Sequence, residues 1–275
     1  MTPQLEMSIR LGAFIGVLVV MSFWEWLAPR RELTVKKSAR WGSNLALVIA
    51  NTAIVRLVVP ITAVAAASYA ALKGWGLLNL VSWPSWLEMI LAVLILDLLI
   101  YLQHVVFHRV PVLWRLHKVH HADLDIDVTT GIRFHTIEIL LSAMLKLAAV
   151  LLLGPSAMAV VVFEVVLNAT SMFNHSNVKL PLPLDRLVRR LLVTPDMHRV
   201  HHSVIREETN SNFGFNLSWW DRVLGTYRDQ PQEGHVEMTI GLTEVRDENA
   251  ADRLPGMLIM PFVKADVLAD EQSGD

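Results

Sequence analysis

Ten of the eleven histidines of this chain fall between positions 104 and 202, and their spacing is patterned. His104-Val-Val-Phe-His108 is followed, after Val110-Pro111, by His117-Lys-Val-His120-His121. The second spacing recurs about eighty residues later as His198-Arg-Val-His201-His202, with His135 and His175 between. On a helix, side chains three or four positions apart share a face, so each group presents adjacent imidazoles. Neutral imidazole is the commonest metal ligand, and this many at helical spacing furnish roughly four or five ligands to each of two metal ions. A lone buried histidine is ordinarily a hydrogen-bonded structural residue; three clusters with repeated spacing reverse that expectation. His135, a single residue, reads equally as a ligand or as a donor that orients one. His235, alone in a polar stretch, reads as an ordinary surface residue.

The elements that must position these rings are apolar. Of 275 residues, 53% are hydrophobic, and the mean hydropathy of +0.42 is too high for an average soluble domain of this length. A formal net charge of −2 offers no basic surface for nucleic acid, and none is expected as a partner. Cysteine is absent, which removes disulfides and thiolate ligands and leaves nitrogen and oxygen donors.

Taken in order, residues 9 to 27 are long enough to cross a hydrocarbon layer of about 30 Å, and Trp24-Glu25-Trp26 forms an interfacial belt at their end. Arg30, Arg31, Lys36, Lys37 and Arg40 then place the next loop in the cytoplasm by the positive-inside rule, with the N-terminus outside. These cations read most simply as topological. A second span over 44 to 72 carries Pro60 near its middle and should kink there. A third, 86 to 106, returns inward and delivers His104 and His108. Pro111 stops that helix, and His117 to His121 follow on a short interfacial helix. The apolar region 137 to 173, cut by Gly154-Pro155, reads as a tight helical hairpin that brings His175 back to the same side. Thr194-Pro195-Asp196 is a helix start, with Thr194 as cap, that places His198, His201 and His202 on its opening turns. The expected architecture is an all-α integral membrane protein of four to five crossing or re-entrant helices with a cytosolic helical cap holding a histidine-rich di-metal site. Residues 1–95 would be membrane anchor helices, 96–230 the catalytic domain and 231–275 a cytosolic tail. Within that tail Met257 to Val263 should pack on the cap, and Asp266 to Asp275 should be polar and frayed.

Two carboxylates lie close to these imidazoles in sequence. Asp97, Tyr101, His104 and His108 form one helical stripe, so Asp97 is read as an acid that orients an imidazole, against the plainer reading of a buried acid paired with Arg56 or Lys146. Glu138 could orient His135 in the same way.

These motifs, in this order, resemble the membrane-bound fatty acid hydroxylase and sterol desaturase superfamily. The accompanying residues are similar to its bacterial sterol-desaturase-type branch: Arg133-Phe-His135-Thr-Ile-Glu138, Asn174-His175-Ser-Asn177, Thr194-Pro-Asp-Met-His198, and Asn212-Phe-Gly214 with Trp220-Asp221 and Gly225-Thr226. The resemblance covers roughly 97 to 227. Thr136 stands where the family usually has proline, and His175 is single where some fatty acid hydroxylases carry two histidines. What it implies is a non-haem di-iron oxygenase that uses O₂ to attack a lipid C–H bond, with Asn174 among the site residues beside Asp97 and Glu138. It also implies a lipid substrate reaching the site from the bilayer. No fused haem-binding domain is visible, so a separate electron donor of ferredoxin or cytochrome type, with its reductase, is expected. The setting it implies is the bacterial inner membrane, with the histidines on the cytoplasmic face. Two other readings compete: a metal transporter, and a zinc-dependent non-oxidative enzyme, since imidazole clusters bind zinc well and zinc can misload such a site.

Overall fold

The structure, a computed structural model, describes residues 2–263; the expected frayed tail from Asp266 to Asp275 lies outside the described residues. Among the described residues the chain is helical, with isolated β-bridges and no extended strand. Five segments among the described residues are long and apolar enough to cross a membrane.

Helix α1 spans Pro3–Leu27, starting earlier than the apolar run alone suggests because Thr2 accepts the amide of Leu5 and Pro3 occupies the first turn. The single span expected over 44 to 72 is instead two helices, α2 (Lys37–Val58) and α3 (Ala63–Lys73). Pro60 has no N–H to donate and drives Val59 out of the helical region, so the kink becomes a full break, after which Thr62 caps α3. Helix α4 (Ser85–Arg109) ends at Val110, and α5 (Pro111–His121) starts on Pro111. Helices α6 (Thr136–Leu153) and α7 (Ala157–His175) form the hairpin expected at Gly154-Pro155. Gly154 closes α6 with φ +67, and a Cβ there would lie 2.4 Å from the Trp75 carbonyl, so the turn needs glycine on both counts.

Helix α7 is central. It packs on α3 and α4 through Ala67, Ala92, Leu96, Val160 and Phe163 and on α1 through Met21, Val17 and Met172, whereas the outward faces of α1 and α4 expose residues such as Val19, Phe23, Ile95 and Leu102. An apolar exterior around an apolar, small-residue interior is what helices surrounded by lipid require.

At one end of the helices sits a cap of loops and short helices, including α8 (Leu182–Val188) and α9 (Pro195–His201). Its apolar core joins Leu47, Val119, Leu124, Val245, Met257 and Met260, so the stretch from Met257 packs on the cap as its composition suggested. A buried ionic network braces it: Arg40 Nε donates to Asp123 at 2.6 Å, Arg40 also pairs with Asp127 at 3.0 Å, and Arg133 pairs with Asp252 at 3.0 Å. Burial alone would raise the Asp123 carboxyl, but Arg40 and Arg133 hold it below its ordinary value.

The basic loop after α1 belongs to this cap. Arg30 pairs with Asp196 at 3.0 Å, Arg31 Nη1 donates to the Met238 carbonyl at 2.6 Å, and Asp125 accepts the amides of Thr34 and Val35. Arg30, Arg31 and Arg40 therefore have fixed structural partners beyond the topological role their charge suggested.

Candidate metal centre

The corner at Val110-Pro111 folds α5 back toward the end of α4, and the proline at the first turn of α9 starts that helix where its histidines meet both. Two groups result. His104, His108, His117, His121 and His201 form one, and His120, His175, His198 and His202 the other; within each, one ligand atom per residue lies within 4.8 Å of the rest. The two His-x-x-His-His segments are shared crosswise. α5 gives His117 and His121 to the first group and His120 to the second, while α9 with its cap residue His202 gives His198 and His202 to the second and His201 to the first.

The hydrogen bonds fix what the rings can do. Backbone carbonyls only accept, so a ring nitrogen held by one must carry the proton, which leaves the lone pair on the other nitrogen. Nδ1 of His104 is held by the Phe213 carbonyl at 2.7 Å, that of His201 by Ser211 at 2.6 Å, that of His175 by Ser171 at 2.7 Å and that of His120 by Arg133 at 3.1 Å. The Nε2 atoms of His104 and His201 then face each other at 3.0 Å, as do those of His175 and His120. Two lone pairs at that distance repel unless a cation lies near both. His108, His121 and His202 have both ring nitrogens buried without a hydrogen-bond partner among the described residues. Burying polar atoms unpaired is costly, and coordination satisfies them.

Protonation offers no alternative. Burial, reinforced by the neighbouring rings, holds His120, His121, His198, His201 and His202 far below the usual histidine value, and burial brings His117 down to about 3. The rings are neutral, nitrogen-only donors, which suits iron, zinc and similar borderline divalent ions.

Nine of the ten histidines singled out by spacing are thus brought together; His135 is not. Its Nδ1 accepts the amide of Ile137 as the cap of α6, and its Nε2 meets the Leu258 carbonyl at 3.2 Å. Glu138 turns to a different ring from the one expected: its Oε1 takes Nδ1 of His117 at 2.7 Å, both side chains being buried. Asp97 orients no imidazole and pairs with neither Arg56 nor Lys146; its Oδ2 accepts Trp220 Nε1 at 2.8 Å and the Leu217 amide at 3.3 Å, tying α4 to the cap. Asn174 donates to the Phe215 carbonyl at 2.9 Å. His235 is buried rather than superficial, 3.7 Å from Asp196 and 3.1 Å from the Gln230 side chain.

The groups that sequence reasoning did not single out are mostly backbone. The carbonyls of Phe213, Ser211, Ser171 and Arg133 hold four rings, and no side-chain type announces a carbonyl. Behind them stand side chains that the motifs named without a role. Asp221 accepts the amides of Phe213 and Gly214 at 2.7 and 2.9 Å, and Arg133 donates through Nε to the Val119 carbonyl at 2.8 Å.

A cavity of about 930 Å³ runs from His104, His117 and Glu138 between α1, α2, α3, α4, α6 and α7. Near the metal end its wall is largely apolar, with Ile100, Phe107, Ile132, Phe134 and Phe215.

The chain is 27% identical over 236 residues to the ornithine lipid hydroxylase OlsE of Rhizobium tropici, covering 84% of this chain and 70% of that protein. It is 29% identical to human alkylglycerol monooxygenase over 132 residues, covering 47% of this chain but 28% of the relative. With human cholesterol 25-hydroxylase it shares 28% identity over 142 residues, 51% of each chain. No solved structure matches. The fatty acid hydroxylase family matches residues 89–226, half the chain and all nine clustered histidines, and the chain belongs to that family.

Proposed function

We propose that this protein is a membrane-bound, non-haem di-iron oxygenase that hydroxylates a lipid. One observation carries the reading: two adjoining all-imidazole groups, with ring lone pairs converging, stand at the end of a long cavity walled by membrane helices. The first group would hold one ion through His104, His108, His117, His121 and His201, and the second through His120, His175, His198 and His202. The chemistry supplied by a bound iron pair is reduction of O₂ coupled to attack on an unactivated C–H bond. The balance takes two electrons and two protons from outside, puts one oxygen atom into the C–H bond and releases the other as water.

The protein's part is placement. Glu138 and the four carbonyls hold five of the nine rings, so those donors are oriented before any ion arrives. The apolar wall near His104 and His117 holds a hydrocarbon segment against the site and excludes bulk water, and which carbon reacts is decided by how far the lipid slides in. The lipid reaches the cavity sideways from the bilayer. Electrons come from a separate ferredoxin- or cytochrome-type donor, with its reductase, docking on the cap, which lies on the cytoplasmic face of a bacterial inner membrane. Support for a lipid substrate comes from the relatives, whose names are those of hydroxylases and a monooxygenase acting on an ornithine lipid, an alkylglycerol and cholesterol.

The test is lipid mass spectrometry of cells expressing the wild type or His201→Ala. A lipid heavier by one oxygen, present only with the wild type under aerobic, iron-replete growth, is the expected result. Identical lipid profiles would overturn the assignment, as would equal activity of the zinc-loaded protein.

A further inference from the structure

The cavity has a second, charged end. Along α6, Lys146 lies eight positions beyond Glu138, and along α7, Glu164 lies eleven positions before His175, so these groups stand about 12–16 Å from the metal end at 1.5 Å per residue. Glu164 bridges two cations, taking Arg10 Nη2 at 2.5 Å on one oxygen and Lys146 on the other; Glu6 pairs with Arg10 at 2.9 Å. Arg56 lines the same space and has no carboxylate within 4.0 Å among the described residues. Three cations against two carboxylates leave this lobe with one positive charge. Ionisable side chains within membrane helices are costly and mark sites of function. Here they line the wall of the cavity, Arg10 and Lys146 part-buried and Arg56 exposed.

From this the geometry points to a headgroup site: Lys146, Arg10 and Arg56 bind an oxyanion, carboxylate or phosphate, in the polar part of a lipid whose hydrocarbon chain extends to the metal end. The inference rests on the lipid-oxidising role proposed for the same cavity. It narrows the substrate to lipids with an anionic group, and it sets a ruler. With bond lengths near 1.52 Å and angles near 111°, an extended chain advances about 1.25 Å per carbon, so 12–16 Å corresponds to roughly ten to thirteen carbons between the polar group and the metal end. Charge-assisted hydrogen bonds in a partly dry site supply the affinity, and the wall between the two ends supplies the length.

The experiment is retention of labelled lipid by the full chain, purified with its metals in nanodiscs of neutral lipid. The probes are phosphatidic acid and diacylglycerol with the same acyl chains. Lys146→Met and Arg56→Gln should each weaken phosphatidic acid retention roughly tenfold while leaving diacylglycerol unchanged, and Lys146→Arg should restore it. Arg56→Gln leaves the bridged pair around Glu164 intact, so it reports on the site even where Lys146→Met folds poorly. Ala143→Trp, which fills the passage between the two ends, should abolish specific retention of both probes; adsorption to the outer surface would survive it and would overturn the proposal. Equal effects on both probes, or none from Arg56→Gln, would also overturn it. If phosphatidic acid is retained as described but no oxygenated lipid forms with iron, O₂ and donor, the headgroup site stands and the hydroxylase assignment falls.

Discussion

Replacing Glu138 separates the two metal groups. Its carboxylate holds Nδ1 of His117 at 2.7 Å, with both side chains nearly shut off from solvent, and it meets no ring of the four-histidine group. Removing such a partner of a ligating histidine ordinarily costs 10- to 100-fold in metal affinity, about 1.4 to 2.8 kcal/mol. In Glu138→Gln the amide oxygen can still accept from Nδ1, so only the charge is lost and the lower end, about tenfold, applies. In Glu138→Ala the Nδ1 proton is stranded in a dry site, which adds the penalty of an unpaired buried donor, about 1–3 kcal/mol, and pushes the loss to hundredfold or beyond. His104 and His201 keep their carbonyl partners in either variant, so the five-histidine site weakens without vanishing. The assay is anaerobic titration of the metal-free protein with Co²⁺ against a competing chelator, followed by its visible absorption. Wild type should fill two sites. Glu138→Gln should shift one step tenfold and leave the other in place, with the alanine variant shifting the same step further. Two steps shifting together, or neither, would refute the division of the histidines into two separately held groups.

Other consequences are as specific. His135→Ala should retain two metal equivalents per chain and lose only the cap of α6, about 1 kcal/mol of stability; metal analysis showing one equivalent would make His135 a ligand after all. Gly131→Ala places a methyl 2.4 Å from the Ser171 carbonyl that holds His175, so it should cost about 1–3 kcal/mol and empty the four-histidine group first, read as loss of one metal equivalent before unfolding. His235 gives a pH signature. Burial, outweighing the pull of Asp196, lowers it to about 3, while the unfolded chain binds that proton near pH 6.5. Its stabilising share is full above pH 6.5 and is lost as the pH falls below that value. Between pH 7.5 and 5 the wild type should therefore lose about 2 kcal/mol more than His235→Gln, measured by chemical unfolding at the two pH values.

Helix starts and stops were legible because each rests on one local rule. Pro111 and Pro195 at first turns, Thr194 as cap, and the Gly154-Pro155 hairpin all stand where their backbone chemistry puts them. Pro60 was legible as a disturbance, but whether it bends or breaks a helix depends on Thr62, which offers the chain a new cap two residues on. The cap's ionic network was not legible. Arg40 and Asp123 are 83 positions apart and Arg133 and Asp252 are 119 apart, and nothing local pairs them. The partners of Asp97 and Glu138 escaped for the same reason. A shared helical stripe brings Asp97 near His104 in sequence, yet the indole of Trp220, 123 positions on, reaches its carboxylate instead.

The ligand set shows where local periodicity stops being informative. At about 100° per residue, positions i and i+4 of a helix differ by some 40°, while i+3 lies about 60° to the other side of i. In His-x-x-His-His the pair at i and i+4 can therefore serve one ion while the ring at i+3 is turned toward another. Both copies in this chain divide in that way, with the pair going to opposite groups on α5 and α9. Spacing alone allows the division but does not require it, since three rings within about 100° of arc could also crowd a single ion. What decides is that α5 and α9 face each other across the site: His121 packs against His201 and His202 with ring centroids 4.6 Å apart in each case, so each helix closes both groups. Neither group can then form without both helices docked. That makes the cap's packing, and the Arg40–Asp123–Arg133 network beneath it, a condition for metal binding as much as for the fold.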